Sequence, residues 1–475
     1  MTPEPPIPLE LWDQVPPAAQ AALLVLLQQY QRRIAALEER VRDLEERLAQ
    51  NSTNSSRPPS SDPPAVKRPP PRPPSGRTKG GQPGHPMFRP PPLAVTRTES
   101  FRPAACRRCG HALFGDDPAP LCHRVIELPS ISPEVIEYRL HRLCCPRCGD
   151  RTRAGLPRGV TAGRYGPRLQ AVLALLTGAY RLSKRHVEEL CADLFGVPVS
   201  AGQVCALEQQ TAAALAPVVA ELRAYVQTQP ANVDETGWRE GSQRCWLWVV
   251  ATAAVTVFHI AGSRAGKVVR DLLGPLHRRV VTSDRFSAYN WLPLGRRQLC
   301  WAHLRRDFQA MVDRGNAGSA VGGMLLGWAK CVFAWWPRVR DGTLSRASFR
   351  RYLGPVRARF REDLESGAAC ACAKTAAVCR ELLAVEPALW TFARVEGVEP
   401  TNNAAERALR HTVQWRKTNF GTDSEVGSRF VERIMSVVAT CRQQRRNVLD
   451  YLAQCCGESG RGGRPPSLVP QAVDR

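Results

Sequence analysis

Residues 231–284 read ANVDETGWREGSQRCWLWVVATAAVTVFHIAGSRAGKVVRDLLGPLHRRVVTSD, and this stretch decides the fold. Asn232-Val233-Asp234-Glu235-Thr236 is predicted to close a short strand. The run Cys245–Ile260 is apolar, β-branched and aromatic, and supplies two further strands. Ser263 to Leu273 has helical character, and Arg279 to Asp284 reads as a fourth strand ending in an acid. One carboxylate thus follows the first strand and another follows the fourth.

Three strands, a helix and a fourth strand is the order of the ribonuclease H-like fold, an α/β class in which those two positions lie side by side. A third carboxylate is then expected from a later helix. Glu406 sits in Asn402-Asn403-Ala404-Ala405-Glu406, where the Asn pair can cap a helix and put the acid in its first turns. Such acids suit phosphodiester chemistry. Two divalent ions about 3.5–4 Å apart serve the attacking and leaving oxygens of an in-line displacement. Hard Mg²⁺ prefers oxygen ligands. The expected assignment has Asp234 bridging two Mg²⁺ ions, Asp284 holding one and Glu406 the other, with Mn²⁺ as a substitute. Any single acid here is more often a solvated or ion-paired carboxylate, and only the constellation on an ordered strand pattern points to metal.

Between Asp284 and Glu406 lie 121 residues, more than a minimal fold of this kind needs. Residues 309–395 read as a helical insertion, splitting a catalytic core of 229–308 and 396–456. Within the first part, Cys300-x2-His303 is either half of a metal site or a core cysteine with a histidine near phosphates. Cys370, Cys372 and Cys379 are partners by residue type alone. Arg305 and Arg306, one turn on, and Arg407, Arg410, Arg416 and Lys417 after Glu406 are candidate DNA contacts. Trp415 among them is expected in the core. The Gly- and Pro-rich residues 457–475 are expected to be a disordered tail.

Toward the N-terminus, residues 165–228 are helix-rich. Lys184 to Leu194 is periodic, Phe195-Gly196-Val197-Pro198-Val199 breaks it, and Ser200 is a candidate N-cap for a helix through Gln210. That is a helix-turn-helix-like shape, shared with many helical hairpins. Residues 101–155 carry Cys106-x2-Cys109-Gly110 and Cys145-x2-Cys148-Gly149, two knuckles 35 residues apart. Four thiolates so spaced predict a structural Zn²⁺ in a zinc-ribbon-like module. The intervening residues 122–145 alternate as a ribbon hairpin would. Residues 51–100 hold 14 prolines and eight Lys/Arg against two acidic residues, and are expected to be a disordered basic linker. Residues 18–50 place Leu23, Leu27, Tyr30, Ile34, Leu37, Val41, Leu44 and Leu48 at alternating steps of 4 and 3, the heptad seam of a coiled coil that would pair two copies.

The chain has 475 residues and a net charge of +23, which suits a polyanionic partner; an Arg-rich composition bias is the bland alternative. Seventeen cysteines without an export signal favour reduced thiols and a metal site over disulfides. No segment is long and apolar enough to span a membrane, so a cytoplasmic protein is expected.

Nine motifs appear in order: NSSRPPSSD (54–62), GGQPGH (80–85), the cysteine knuckles, YGPRL (165–169), LFGVPVS (194–200), VDETGW (233–238), SDRFSAYN (283–290), CWAHLRRDF (300–308) and PTNNAAERALR (400–410). On these the chain resembles the large transposase of the insertion sequence 66 family of bacterial mobile elements. The resemblance implies a DDE triad at Asp234, Asp284 and Glu406, and Mg²⁺-dependent cutting and joining of DNA at the element's terminal inverted repeats. It also implies target DNA as a partner, small accessory proteins of the same element, and a place at the bacterial nucleoid. Two rivals stand beside it: a zinc-ribbon DNA-binding protein that is an inactive remnant, and a nuclease or resolvase of the same fold. The second leaves the zipper, linker and ribbon without a purpose.

Overall fold

A computed structural model of the chain describes residues 8–55, 62, 93–161, 163–275 and 278–471. Most of the linker, with GGQPGH and the middle of NSSRPPSSD, lies outside the described residues. Contacts divide the chain into two units, Pro64–Ser132 and the remainder.

Within Pro64–Ser132, the first knuckle is closed by an Ala105–Ala112 bridge and by Gly110 N–H bonding Cys106 O at 2.9 Å. Gly110 is left-handed with φ 73°, so the turn beneath the sulfurs needs a residue without Cβ strain.

The larger unit opens with a short helix α1 (Leu9–Trp12) and the long α2 (Pro17–Ala49). No residue of α2 is buried, and the heptad seam faces solvent, with Ile34 and Leu37 54% and 56% exposed. The end of α2 is tied down by charge: Glu46 pairs with Arg314 at 2.8 Å, and Lys374 reaches Asp43 and Glu46.

Strands β1 (Arg142–Cys144) and β2 (Arg151–Arg153) pair antiparallel around the second knuckle, where Gly149 repeats the left-handed turn with φ 74°. Of the alternating stretch 122–145, only β1 forms a strand. Alternation sets faces but needs a partner edge, and Val125, Leu128 and Val135 are all exposed.

Helices α3 (Pro167–Gly178), α4 (Lys184–Phe195) and α5 (Ala201–Val226) follow. Ser183 caps α4, and Gly196 ends it in the left-handed conformation. Ser200 and Gln203 form a reciprocal capping box. The helix-turn-helix-like reading is too short: α5 does not stop at Gln210 but runs on to Val226. Its second half, Leu215 to Val226, packs in the main core, so it is not a detachable recognition helix.

That core surrounds a five-stranded sheet of β3 (Ala231–Glu240), β4 (Gln243–Ala251), β5 (Thr256–Ala261), β6 (Val281–Ser283) and β7 (Arg297–Leu299), with α6 (Gly266–Leu273) between β5 and β6. The order across the sheet is β5-β4-β3-β6-β7. β3, β4 and β5 are antiparallel neighbours, whereas β6 and β7 run parallel to β3. Asp234 is not at the end of a short strand. It sits inside a ten-residue strand, opposite Val249 of β4, and β3 reaches beyond the acid because β4 pairs along its full length.

Helices α7 (Trp301–Asp313), α8 (Ser319–Arg340), α9 (Arg346–Ala368), α10 (Ala373–Ala384) and α11 (Thr391–Arg394) form the insertion, which begins at Trp301 and not at residue 309 because α7 packs with the helices that follow it. It has its own core, centred on Trp301, Phe308, Phe349, Phe360, Trp390 and Phe392. The chain then returns to the sheet through α12 (Asn403–Asn419), α13 (Glu425–Gln443) and α14 (Val448–Gly460). Residues 458–471 depart from the disorder expected of 457–475. α14 continues to Gly460, Tyr451 Oη donates to Pro466 O, and Leu468 is fully buried in the main core, so one apolar anchor outweighs a Gly- and Pro-rich composition.

Candidate active site

The edge where β3 and β6 run parallel brings the three predicted acids together. Asp234 comes from β3, Asp284 follows β6 directly, and Glu406 stands in the first turn of α12. Burial pushes the Asp234 carboxyl well above the usual range, and the charges of Glu235, Asp284 and Glu406 push it further. Asp284 is also raised by burial, against the pull of the Phe286 N–H and of Arg297, Arg264 and Arg285. Glu406 Oε1 is buried with no hydrogen-bond partner. An all-oxygen donor set whose ionised form is disfavoured by burial and mutual repulsion is one that a hard divalent cation would relieve.

The loop before α12 is strapped to α7 by one bond and to β3 by three. Trp301 N–H bonds Pro400 O at 2.9 Å, and Asn232 Nδ2 bonds Thr401 O at 3.3 Å. Asn402 is fully buried; its Nδ2 donates to Val233 O at 2.8 Å and its Oδ1 accepts from Asn232 at 3.2 Å. The Asn402 side chain therefore does not cap α12, as its residue type suggests. The carbonyl beside Asp234 takes the amide instead, and the clasp holds Glu406 against β3.

Glu235, the next residue on β3, was not legible as a site residue. Its side chain is almost wholly buried, accepts from Tyr289 Oη at 2.5 Å and pairs with Arg264 at 2.7 Å. Burial lifts its carboxyl above the usual range. Arg264 also lies 3.9 Å over the Phe286 ring, and Arg297 Nη2 donates to the carbonyl of Asp284 at 3.0 Å. The acids thus rest on one buried cation, Arg297, one exposed cation, Arg264, and a buried phenol. The only sequence trace of this was the acidic neighbour in VDETGW and the tyrosine in SDRFSAYN.

Cys300 and His303 lie at the start of α7, which begins as β7 ends. His303 Nδ1 is 3.7 Å from Glu406 Oε1. Burial, with Arg306 and Arg285 nearby, pushes the imidazole down to about 3, so it is neutral. Among the described residues, Cys300, His303 and Glu406 are the one group of three or more His, Cys, Asp or Glu whose ligand atoms all lie within 4.8 Å of one another. Mutual repulsion opposes equally close approach of the three acids. Cys370, Cys372 and Cys379 do not join this group; they lie at the α9–α10 turn and on α10.

The candidate DNA contacts separate. Arg407, Arg410 and Lys417 are exposed on α12, downstream of Glu406. Arg416 is not available: its Nη1 bonds Gly237 O at 2.6 Å and Thr236 Oγ1 at 3.1 Å, because half-burial against β3 leaves it those acceptors. Arg305 stacks 5.4 Å over Phe333, and Arg306 Nε is buried without a partner near His303. Trp415 is buried and donates to Gly421 O. Each cysteine knuckle has backbone N–H groups aimed at its first sulfur: those of Arg108 and Cys109 at Cys106, and those of Arg147 and Cys148 at Cys145. Both thiols are held below their usual range by these bonds.

Comparison with known proteins adds three findings. A family of unknown function matches residues 10–89. Uncharacterized protein y4qI of Sinorhizobium fredii (strain NBRC 101917 / NGR234) is 26% identical over 234 residues, 44% of this chain and 43% of that protein. The chain therefore matches less than half the length of this relative. The family described as Transposase IS66 family matches residues 162–429, from before α3 into α13, and takes in the whole sheet, the insertion and all three acids. With more than half of its length inside that match, the chain belongs to the transposase IS66 family.

Proposed function

We propose that the chain is a DNA transposase with a ribonuclease H-like core, in which Asp234, Asp284 and Glu406 form a DDE triad for strand cleavage and strand transfer at the terminal inverted repeats of its element. The observation that carries this reading is the convergence of three acids from β3, β6 and α12 on one sheet edge, where burial and mutual repulsion leave Asp234 strongly disfavoured as an anion. The sheet order, with an acid on its central strand and another on the parallel neighbour, supports the ribonuclease H-like assignment.

Asp234, Asp284 and Glu406 would hold Mg²⁺ or Mn²⁺. When bound, such ions activate an oxygen nucleophile and stabilise the leaving oxygen. The chain's own part is positional. The Asn402 clasp fixes Glu406 against β3, Arg297 and Phe286 N–H orient Asp284, and Tyr289 and Arg264 absorb the neighbouring Glu235 charge. Arg407, Arg410 and Lys417 would meet the phosphates of element-end and target DNA, with Arg305 and Arg306 at the α7 side. The exposed heptad seam of α2 suits pairing with a second copy, and the knuckle cysteines Cys106, Cys109, Cys145 and Cys148 suit a structural Zn²⁺. Both are part of the proposal, as are any accessory proteins and a cytoplasmic, nucleoid-associated setting. No helix among the described residues is long and apolar enough to cross a membrane.

The test is strand joining. Labelled, pre-cleaved element ends, target plasmid and Mg²⁺ are mixed with full-length protein or with Asp284→Asn. Joining by the wild type alone is expected. Equal joining by Asp284→Asn overturns the triad, and binding of ends without joining by either favours an inactive remnant.

A further inference from the structure

Cys300-x2-His303 shares the two-residue spacing of the cysteine knuckles, but its sulfur is buried where theirs are not. The Cys300 sulfur accepts from Asn402 N–H at 3.1 Å, which ties it to the start of α12 beside Glu406. Burial pushes this thiol up to about 11, so a metal has to displace its proton to bind.

The other two groups are short of partners. His303 Nδ1 and Glu406 Oε1 are both buried, neither makes a hydrogen bond, and they face each other at 3.7 Å. Ligands of a tetrahedral ion at bonds of about 2.0–2.1 Å stand about 3.3 Å apart, so a small inward shift would close the pair on a cation. We propose that Cys300, His303 and Glu406 form a site for a zinc-class ion, with sulfur, nitrogen and oxygen donors and a fourth position left open. Arg285 and Arg306 lie nearby and oppose a cation, but Arg285 is already paired with Asp307 and Glu381. The two facing atoms are buried, while the rest of the His303 and Glu406 side chains is 18% and 36% exposed.

This site differs in kind from the all-oxygen cluster, and Glu406 belongs to both. An ion held by sulfur and nitrogen would draw Glu406 away from Asp234 and Asp284. The borderline ion would then compete with the hard ions of the proposed reaction for one carboxylate. The binding itself does not depend on strand transfer.

The experiment measures metal content, with full-length protein stripped by chelator under reducing conditions and dialysed against buffered Zn²⁺. Wild type and Asp284→Asn are expected to retain one more zinc per chain than Cys300→Ser or His303→Gln. With Co²⁺ in place of zinc, the wild type minus Cys300→Ser difference should show a thiolate-to-cobalt absorption in the near ultraviolet. Cys300 is deeply buried, so His303→Gln decides the matter if Cys300→Ser fails to fold. Equal zinc in wild type and folded His303→Gln overturns the proposal, whatever the joining assay returns. Conversely, Asp284→Asn that joins DNA while His303→Gln loses its zinc sinks the triad and leaves this site standing.

Discussion

The sheet edge and the helical insertion use burial in opposite ways. In the insertion, Trp301 packs on Trp390 at 5.0 Å and on Phe360 at 5.5 Å, and Phe360 meets Trp390 at 5.6 Å and Phe308 at 6.0 Å. These rings release water and gain packing at no electrostatic cost. Along β3 the same sheltered space holds Asp234, Glu235, Asp284 and the orphaned Glu406 oxygen. One region contributes stability. The other consumes it to gather charge, and the long aromatic core offsets that cost.

The sharpest way to break this comparison is Asp234→Asn. Joining should fall to background, because a ligand is lost. Stability in chelator at pH 7 should nevertheless rise. The folded state raises the Asp234 pKa, so it holds a proton that the unfolded chain releases. The penalty is absent below the ordinary carboxylate range and grows as pH climbs from there to the folded pKa. The amide removes it, and each kcal/mol relieved is worth about 2–4 °C in midpoint temperature. Thermal melts at pH 7 and near pH 3.5, compared with wild type, check the sign: a gain at both or at neither contradicts the account.

Phe360→Ala tests the other half. The ring is fully buried among three aromatics, and its loss should cost about 3–5 kcal/mol in denaturant unfolding. Metal-dependent stabilisation of the acids should survive in the fraction that remains folded. A cost below about 1 kcal/mol would mean that the insertion's core is not the reserve described. Asn402→Ala falls between the two regions. It takes the Asn402 donor from Val233 O and leaves Asn232 Nδ2 with Thr401 O alone, for about 1–3 kcal/mol, and should slow joining more than it weakens DNA binding.

β4 and β5 were legible because Cys245–Ile260 is apolar, β-branched and aromatic, and most of it is buried. β6 is only Val-Thr-Ser, and the acids were read from the order of strands and helix and, for Glu406, from the Asn pair before it. What could not be read was side-chain choice at long range. Asn402 has a strong capping preference, and only the approach of the Val233 carbonyl diverts it. Cys300-x2-His303 had no visible partner in the sequence because Glu406 approaches it through the fold and not along the chain. Arg416 looked like its neighbours on α12, but the helix turns it toward β3. The tail after Gly457 was misjudged because composition is blind to one leucine finding the core.

The smallest expected effect on the folded chain lies at the opposite extreme of burial, in α2. Its seam is apolar yet exposed along the helix, and Asp43 and Glu46 near its end form ion pairs with the insertion. Replacing Ile34 and Leu37 by Lys removes no intrachain packing, so unfolding of the remaining structure should change by less than about 0.5 kcal/mol. The apolar stripe itself has no counterpart within the chain among the described residues, and two such stripes facing each other would bury it. Sedimentation should therefore shift from dimer or larger to monomer in the double variant while the melt stays put. A variant that keeps its oligomeric state would move the self-association surface elsewhere. A variant that lost both association and several degrees of melting temperature would show that α2 supports the fold it flanks, and the contrast between exposed and buried apolar surface would need redrawing.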